Sequence, residues 1–151
     1  AAVGAVAGTG GPRGSRPMPI ADNYVLVGDL SALPAIARWA EELPVDATAQ
    51  VLVAAPGPGD QIEIESRANV ATHWVHSPGP VPADELARGL DLIDLTRPDL
   101  YVWAAGEVLA MRSVRDRLRD EFGLAGEHVG VDGYWRRGQS DYDHHTPLDG
   151  E

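Results

Sequence analysis

The stretch Tyr24–Ala40, YVLVGDLSALPAIARWA, decides the fold. Tyr24 to Val27 is a short apolar run, β-branched at Val25 and Val27, as a buried strand requires. Gly28 and Asp29 interrupt it. Leu33, Ile36, Ala37 and Ala40 then recur at helical spacing, leaving Arg38, Glu41 and Glu42 for solvent. Ser31 is placed to act as N-cap, its hydroxyl accepting from a free N–H of the first turn. Pro34 fits an early helical position, where its missing N–H costs little. A strand that passes through a small-residue turn into a helix leaves free N–H groups and a positive dipole end at the strand's C-terminal edge. That geometry suits a phosphate or another anion. Taken alone, the unit is equally an ordinary βα turn.

Outward from this unit the chain alternates. Pro44 ends the first helix, and Ala49–Ala54 (AQVLVA) is a second apolar strand closed by Pro56, Gly57, Pro58 and Gly59. Gln61–Ser66 (QIEIES) alternates apolar and acidic residues, which predicts an edge strand, and Ala71–Val75 (ATHWV) predicts another. His73 and His76 would face opposite sides of that strand, a poor metal pair. Leu86, Leu90, Ile93 and Asp94 predict a helix over Asp84–Leu95. Leu100–Ala105 (LYVWAA) is the most apolar strand, and Gly106 and Glu107 open a helix that runs to Phe122 and ends at Gly123. His128–Gly133 (HVGVDG) is a last short strand, followed by Tyr134, Trp135, Arg136 and Arg137. The two best strands both end in small-residue turns, Gly28-Asp29 and Gly106-Glu107. Strands alternating with helices predict a three-layer open parallel α/β sheet, whose ligands sit beyond the strands' carboxyl ends where the strand order reverses.

Composition narrows the chemistry. The chain has 151 residues with 44% hydrophobic content, enough for one domain with a real core. With no cysteine, disulfides, thiolate metal sites and thiol catalysis are excluded. No apolar run approaches the roughly 20 residues of a membrane helix, and the Ala/Gly-rich start lacks a signal peptide's basic and apolar regions. Cytoplasm is the expected compartment and membrane insertion is not expected. The formal net charge is −11 and all 12 basic residues are Arg, so a nucleic-acid backbone would be repelled at long range. Any anion must be held by Arg, His or backbone N–H groups.

Three constellations compete for the crevice. A phosphoacceptor domain needs a Lys and a central Asp that the chain lacks. Asp141, Asp143, His144 and His145 have metal-ligating chemistry, but they stand in an acidic tail, and no metal is expected. The two glycine turns suit a dinucleotide bound through the backbone, although no GxGxxG is present. Tyr134, Trp135, Arg136 and Arg137 add aromatic faces that stack on a flat heterocycle and guanidinium forks that bind anionic oxygens. Alternatively, the aromatics pack in the core and the arginines are solvated.

GDLSALPAI (Gly28–Ile36), YVWAAGE (Tyr101–Glu107) and GYWRRG (Gly133–Gly138) resemble, in this order, the C-terminal domain of the siderophore-interacting, ferric-siderophore reductase proteins. GPRGS (Gly11–Ser15) resembles the segment where their FAD domain hands over to it, so the likeness covers about Gly11 to Asp143. The family is related to the ferredoxin–NADP reductases. The resemblance implies a Rossmann-like NAD(P)-binding domain of ferredoxin reductase type, paired with an N-terminal FAD-binding β-barrel. It implies hydride transfer from NADPH or NADH to FAD, then electrons to iron in a ferric siderophore. Carried onto this chain, it puts Gly28, Asp29 and Ser31 on one side of the nucleotide crevice, with Gly106 and Glu107 on the other. Tyr134 and Trp135 would lie near the flavin or the domain junction, and Arg136 and Arg137 would receive the anionic siderophore. No residue is assigned as catalytic.

Two departures stand out: Leu30 replaces a usual acidic residue, and Ala55 and Pro56 replace an acidic residue common near the end of the second strand. Residues 20–140 are expected to form the nucleotide-binding domain, with 1–19 a linker or remnant and 141–151 a flexible acidic tail. An FAD barrel needs on the order of 100 residues, so FAD is expected only with a separate domain. The rival reading is a non-catalytic α/β module that docks a protein or small anionic ligand.

Overall fold

A computed structural model gives the fold and describes residues 17–79, 81–143 and 145–148. Residues 2–7, whose small apolar side chains would also suit a strand, the GPRGS segment and His144 lie outside the described residues. Strands β1 (Asn23–Asp29), β2 (Thr48–Ala55), β3 (Asn69–His76), β4 (Leu100–Glu107) and β5 (Val129–Trp135) form one sheet in the order β3-β2-β1-β4-β5. All four pairings are parallel. Helix α1 (Leu33–Glu42) follows β1, α2 (Glu85–Gly89) precedes β4, and α3 (Val108–Phe122) follows β4. The expected open parallel sheet is borne out, and its order reverses between β1 and β4.

Both faces of the central strands are covered, so their residues alternate between two cores instead of between core and solvent. Tyr24, Leu26, Val51, Val53, Tyr101 and Trp103 pack with Leu33, Ile36 and Trp39 of α1. Val25, Val27, Leu52, Ala54, Val102 and Ala104 pack with Leu86 and Leu90 and with Met111, Val114 and Leu118 of α3. On the α1 side the indole of Trp39 stacks between Tyr101 and Trp103, with ring centroids 6.1 and 5.0 Å away and planes 13° apart. At the far end of α3, Gly123 takes the left-handed conformation (φ 67°) and Leu124 N–H donates to Leu118 O at 2.9 Å, closing the helix.

Three expectations need correction. Gln61–Ser66 is not a strand. The edge of β2 is taken by β3, and the alternating segment joins no ladder. It is instead tied to the end of α1, where Ser66 Oγ donates to Ala40 O at 2.5 Å, and Ile62 is 49% exposed. The helix expected over Asp84–Leu95 is shorter: α2 gives way to a 3₁₀ turn at Leu90–Leu92 and then to extended chain. The cause is Gln50, a buried amide on β2 that donates to Asp94 O and accepts from Asp94 N, both at 2.9 Å. Those bonds hold Asp94 level with the sheet, where the Thr96 hydroxyl and N–H lower the Asp94 carboxyl below its usual range. Finally, Ser31 is not an N-cap. Asp29 caps the 3₁₀ turn Leu30–Ala32, and α1 begins at Leu33 with Pro34 in its first turn.

Gly28 explains how closely α1 can approach. A Cβ there would stand 2.7 Å from Ala32 Cβ and 2.8 Å from the Ala105 carbonyl oxygen. Gly28→Ala is therefore expected to push the 3₁₀ turn off the β1–β4 pair and cost about 1–3 kcal/mol. Urea unfolding checks this, and an unchanged midpoint would refute the close approach.

Candidate functional site

The site is built at the carboxyl ends of β1 and β4, and one side chain joins its parts. Asp29, the last residue of β1, is 8% exposed. Its Oδ1 accepts from Ser31 N at 2.9 Å and Ser31 Oγ at 2.5 Å. Its Oδ2 accepts from Glu107 N and from Trp135 Nε1, both at 3.0 Å. A single carboxylate thus bridges the ends of β1, β4 and β5 and is surrounded by donors, the arrangement a buried carboxylate needs.

Glu107 repeats the device one strand over. Its Oε2 accepts from Leu109 N at 2.8 Å and Ala110 N at 3.0 Å, capping α3, while its Oε1 accepts from Arg137 N at 3.2 Å. The N–H groups expected to be free for an anion are in part already taken by the chain's own carboxylates. The negative groups sit at the positive helix end, where the dipole favours them.

Around these two acids opens a cleft of about 630 Å³. That is the size of a small-molecule site, and the topological switch point is where parallel sheets bind ligands. Its walls are mostly apolar, with Leu30, Ala54, Pro56, Val81, Leu86 and Ala110 joined by Trp135 and Arg137. Trp135 is 37% exposed, and Arg137 reaches across to donate from Nη2 to Val81 O at 2.7 Å.

The structure brings Asp29, Ser31, Glu107, Trp135 and Arg137 together on this cleft. Four other residues singled out from the sequence lie elsewhere. Gly28 faces Ala32 and Ile36 under the 3₁₀ turn. Gly106, with φ 157°, leaves the space that the Asp29 carboxylate fills: a Cβ there would meet Oδ2 at 2.7 Å. Tyr134 packs edge-on against Trp103, with centroids 6.3 Å apart, on the α1 side of the sheet. Arg136 starts the tight turn that Gln139 N closes onto Arg136 O, off the cleft lining.

The wall contributed by Gly79 and Val81 was not anticipated. It lies in a turn-rich connector, and only its position after the end of β3 signals it. His76 pairs with Gln61, Nε2 to Nε2 at 2.6 Å. Among the described residues no three His, Asp or Glu could hold a metal ion, and no helix is long and apolar enough to cross a membrane.

Replacing Asp29 by Asn turns one acceptor oxygen into a donor that faces either the Ser31 pair or the Glu107 and Trp135 pair. Asp29→Asn is expected to cost about 1–3 kcal/mol and to shift the Trp135 indole N–H resonance. An unmoved indole resonance would show that the Asp29–Trp135 bond does not form in solution.

Comparison with known proteins agrees with this architecture. The siderophore-interacting protein family matches residues 21–138. A solved siderophore utilization protein from T. fusca superposes with a TM-score of 0.78 at 40% identity, covering 90% of this chain and 53% of that one. An uncharacterized Mycobacterium tuberculosis protein is 34% identical over 143 residues, 87% of this chain and 50% of its own length. The ferric vibriobactin reductase ViuB of Vibrio cholerae is 27% identical over 148 residues, 96% of this chain and 55% of the relative. The chain thus spans about half the length of the curated relatives it matches. With a family match across the whole sheet and both of its cleft-forming strand ends, this chain belongs to the siderophore-interacting protein family, the homologues of ferric-siderophore reductases.

Proposed function

We propose that this chain is the NAD(P)H-binding domain of a flavin-dependent ferric-siderophore reductase. The observation that carries the reading is the apolar cleft at the β1–β4 switch point, closed on one side by Trp135, in a chain of this family. A nicotinamide nucleotide fits the lining in kind. Leu30, Ala54, Val81, Leu86 and Ala110 offer the walls that a heterocyclic ring buries against, and Trp135 offers an aromatic face. Arg137 is the cation at the cleft and retains guanidinium donors beyond its bond to Val81 O.

When bound, the nucleotide supplies a hydride for FAD held by a separate domain. The residues present here do the positioning. Asp29 fixes the β1, β4 and β5 ends in one register. Glu107 fixes the start of α3 and, through Arg137 N, the turn after β5. Trp135 presents a partly exposed indole in the cleft wall. The ferric siderophore is the substrate, with Arg136 and Arg137 read as part of its receiving surface. Reduction of Fe(III) to Fe(II) weakens an oxygen-rich chelate and frees the metal. Cytoplasm is proposed as the compartment.

Titrating NADH and NADPH into the ¹⁵N-labelled chain is expected to move the amide resonances of Gly28, Ser31, Gly106 and Glu107. Silence at millimolar nucleotide would favour a non-catalytic module that docks a protein or a small anion. The purified chain is also expected to carry no flavin absorbance near 450 nm, on the order of 100 further residues being needed for an FAD barrel. A yellow preparation with stoichiometric FAD would overturn the division of labour.

A further inference from the structure

A carboxylate presents about four lone-pair positions to donors. Asp29 has all of them engaged, by Ser31 N, Ser31 Oγ, Glu107 N and Trp135 Nε1. It is a positioning residue with nothing left for a ligand. Glu107 has three engaged: Leu109 N and Ala110 N on Oε2, and Arg137 N on Oε1. One acceptor position therefore remains on Glu107 Oε1 among the described residues. Glu107 lines the cleft, and Asp29 and Glu107 are the two acids in its wall.

We infer that Glu107 Oε1 accepts a hydrogen bond from the carboxamide of a nicotinamide nucleotide and makes the cleft reject the corresponding nicotinic-acid nucleotide. The inference rests on the nucleotide-binding reading above and adds its selectivity. Three features favour a neutral donor. The walls are apolar, so a ligand group buried there must meet an acceptor or lose its hydration uncompensated. The Ser31, Leu109 and Ala110 N–H groups are already bonded to the chain's own carboxylates. A carboxylate brought to the same place would find an acceptor without a proton to share, and a second negative charge beside Glu107 and Asp29. An amide NH₂ meets the acceptor without adding charge. One guanidinium nitrogen of Arg137, Nη2, donates to Val81 O.

The test uses nicotinamide mononucleotide and nicotinic acid mononucleotide, which differ at this one substituent. Both are titrated into the ¹⁵N-labelled chain while the amides of Glu107, Leu109, Ala110 and Arg137 are followed, with NADH and NADPH alongside. The amide nucleotide is expected to bind about 10- to 100-fold more tightly than the acid, the range of a hydrogen bond gained against one refused. Glu107→Gln should bring the two to within about three-fold, because its own NH₂ can donate to a carboxylate. A melting temperature near that of the parent verifies that the α3 cap survives. If the variant does not fold, the comparison on the unaltered chain decides alone. Equal affinities there, with NADH or NADPH still binding, overturn the selectivity and leave the nucleotide reading standing. No shift with any of the four nucleotides overturns both.

Discussion

The site depends on a buried carboxylate that holds three strand ends together. Asp29 leaves β1 and accepts from the backbone of β4 and the indole of β5, as well as from Ser31 in its own turn. Removing a carboxylate from water is expensive, and its donors compensate only if they are held in place. That requirement propagates. Gly106 must lack a side chain, since a Cβ would lie 2.7 Å from Asp29 Oδ2. The β4–β5 pairing must slip at Gly106/Glu107, so that Glu107 pairs with Trp135 and not with Tyr134. The bulge brings the indole within reach of Asp29 and sets the cleft's outer wall, a use of irregular pairing common beside functional sites.

This constraint also decides what the crevice can do. In a parallel α/β sheet the helix N-termini at the switch point are ready sites for phosphate. Here the 3₁₀ turn after β1 is capped by Asp29 and α3 by Glu107, so the dipoles at those ends serve the fold. What is left between them is apolar volume with one cation at its edge. Such a cleft suits an apolar or aromatic group better than a phosphate. The uncharged Ala54 and Pro56 at the end of β2 continue the same wall.

What was legible in the sequence follows from which forces are local. Val25–Val27 and Leu100–Ala105 announce themselves because strands covered on both faces are apolar throughout. The helix of α3 and its glycine stop read directly from spacing and chemistry. Caps and edges do not read so easily. Ser31 looks like a cap from its residue type, yet Asp29 two residues earlier takes the role because it is also needed by β4 and β5. Gln61–Ser66 has a strand's alternation but joins no ladder, and its bonds go to His76 and to the end of α1. Asp84–Leu95 has a helix's spacing, but Gln50, distant in sequence, claims the backbone of Asp94. The bond that matters most joins residues 106 positions apart.

GYWRRG shows how a motif can be legible as a unit while its members do different work. Successive residues of an extended chain face opposite sides. Tyr134 therefore packs edge-on against Trp103 in the α1-side core, whereas Trp135 and Arg137 reach the cleft. Gly133 sits where a Cβ would press on Val108 at 2.9 Å, so it permits α3 to approach β5. The aromatic pair thus splits into one residue that anchors the strand and one that lines the cleft. The arginine pair splits the same way, with Arg136 at the base of the closing turn and Arg137 tied to Val81 across the mouth. Conservative exchange within the aromatic pair would not be neutral, because the strand's two-residue period, not residue type, assigns the role.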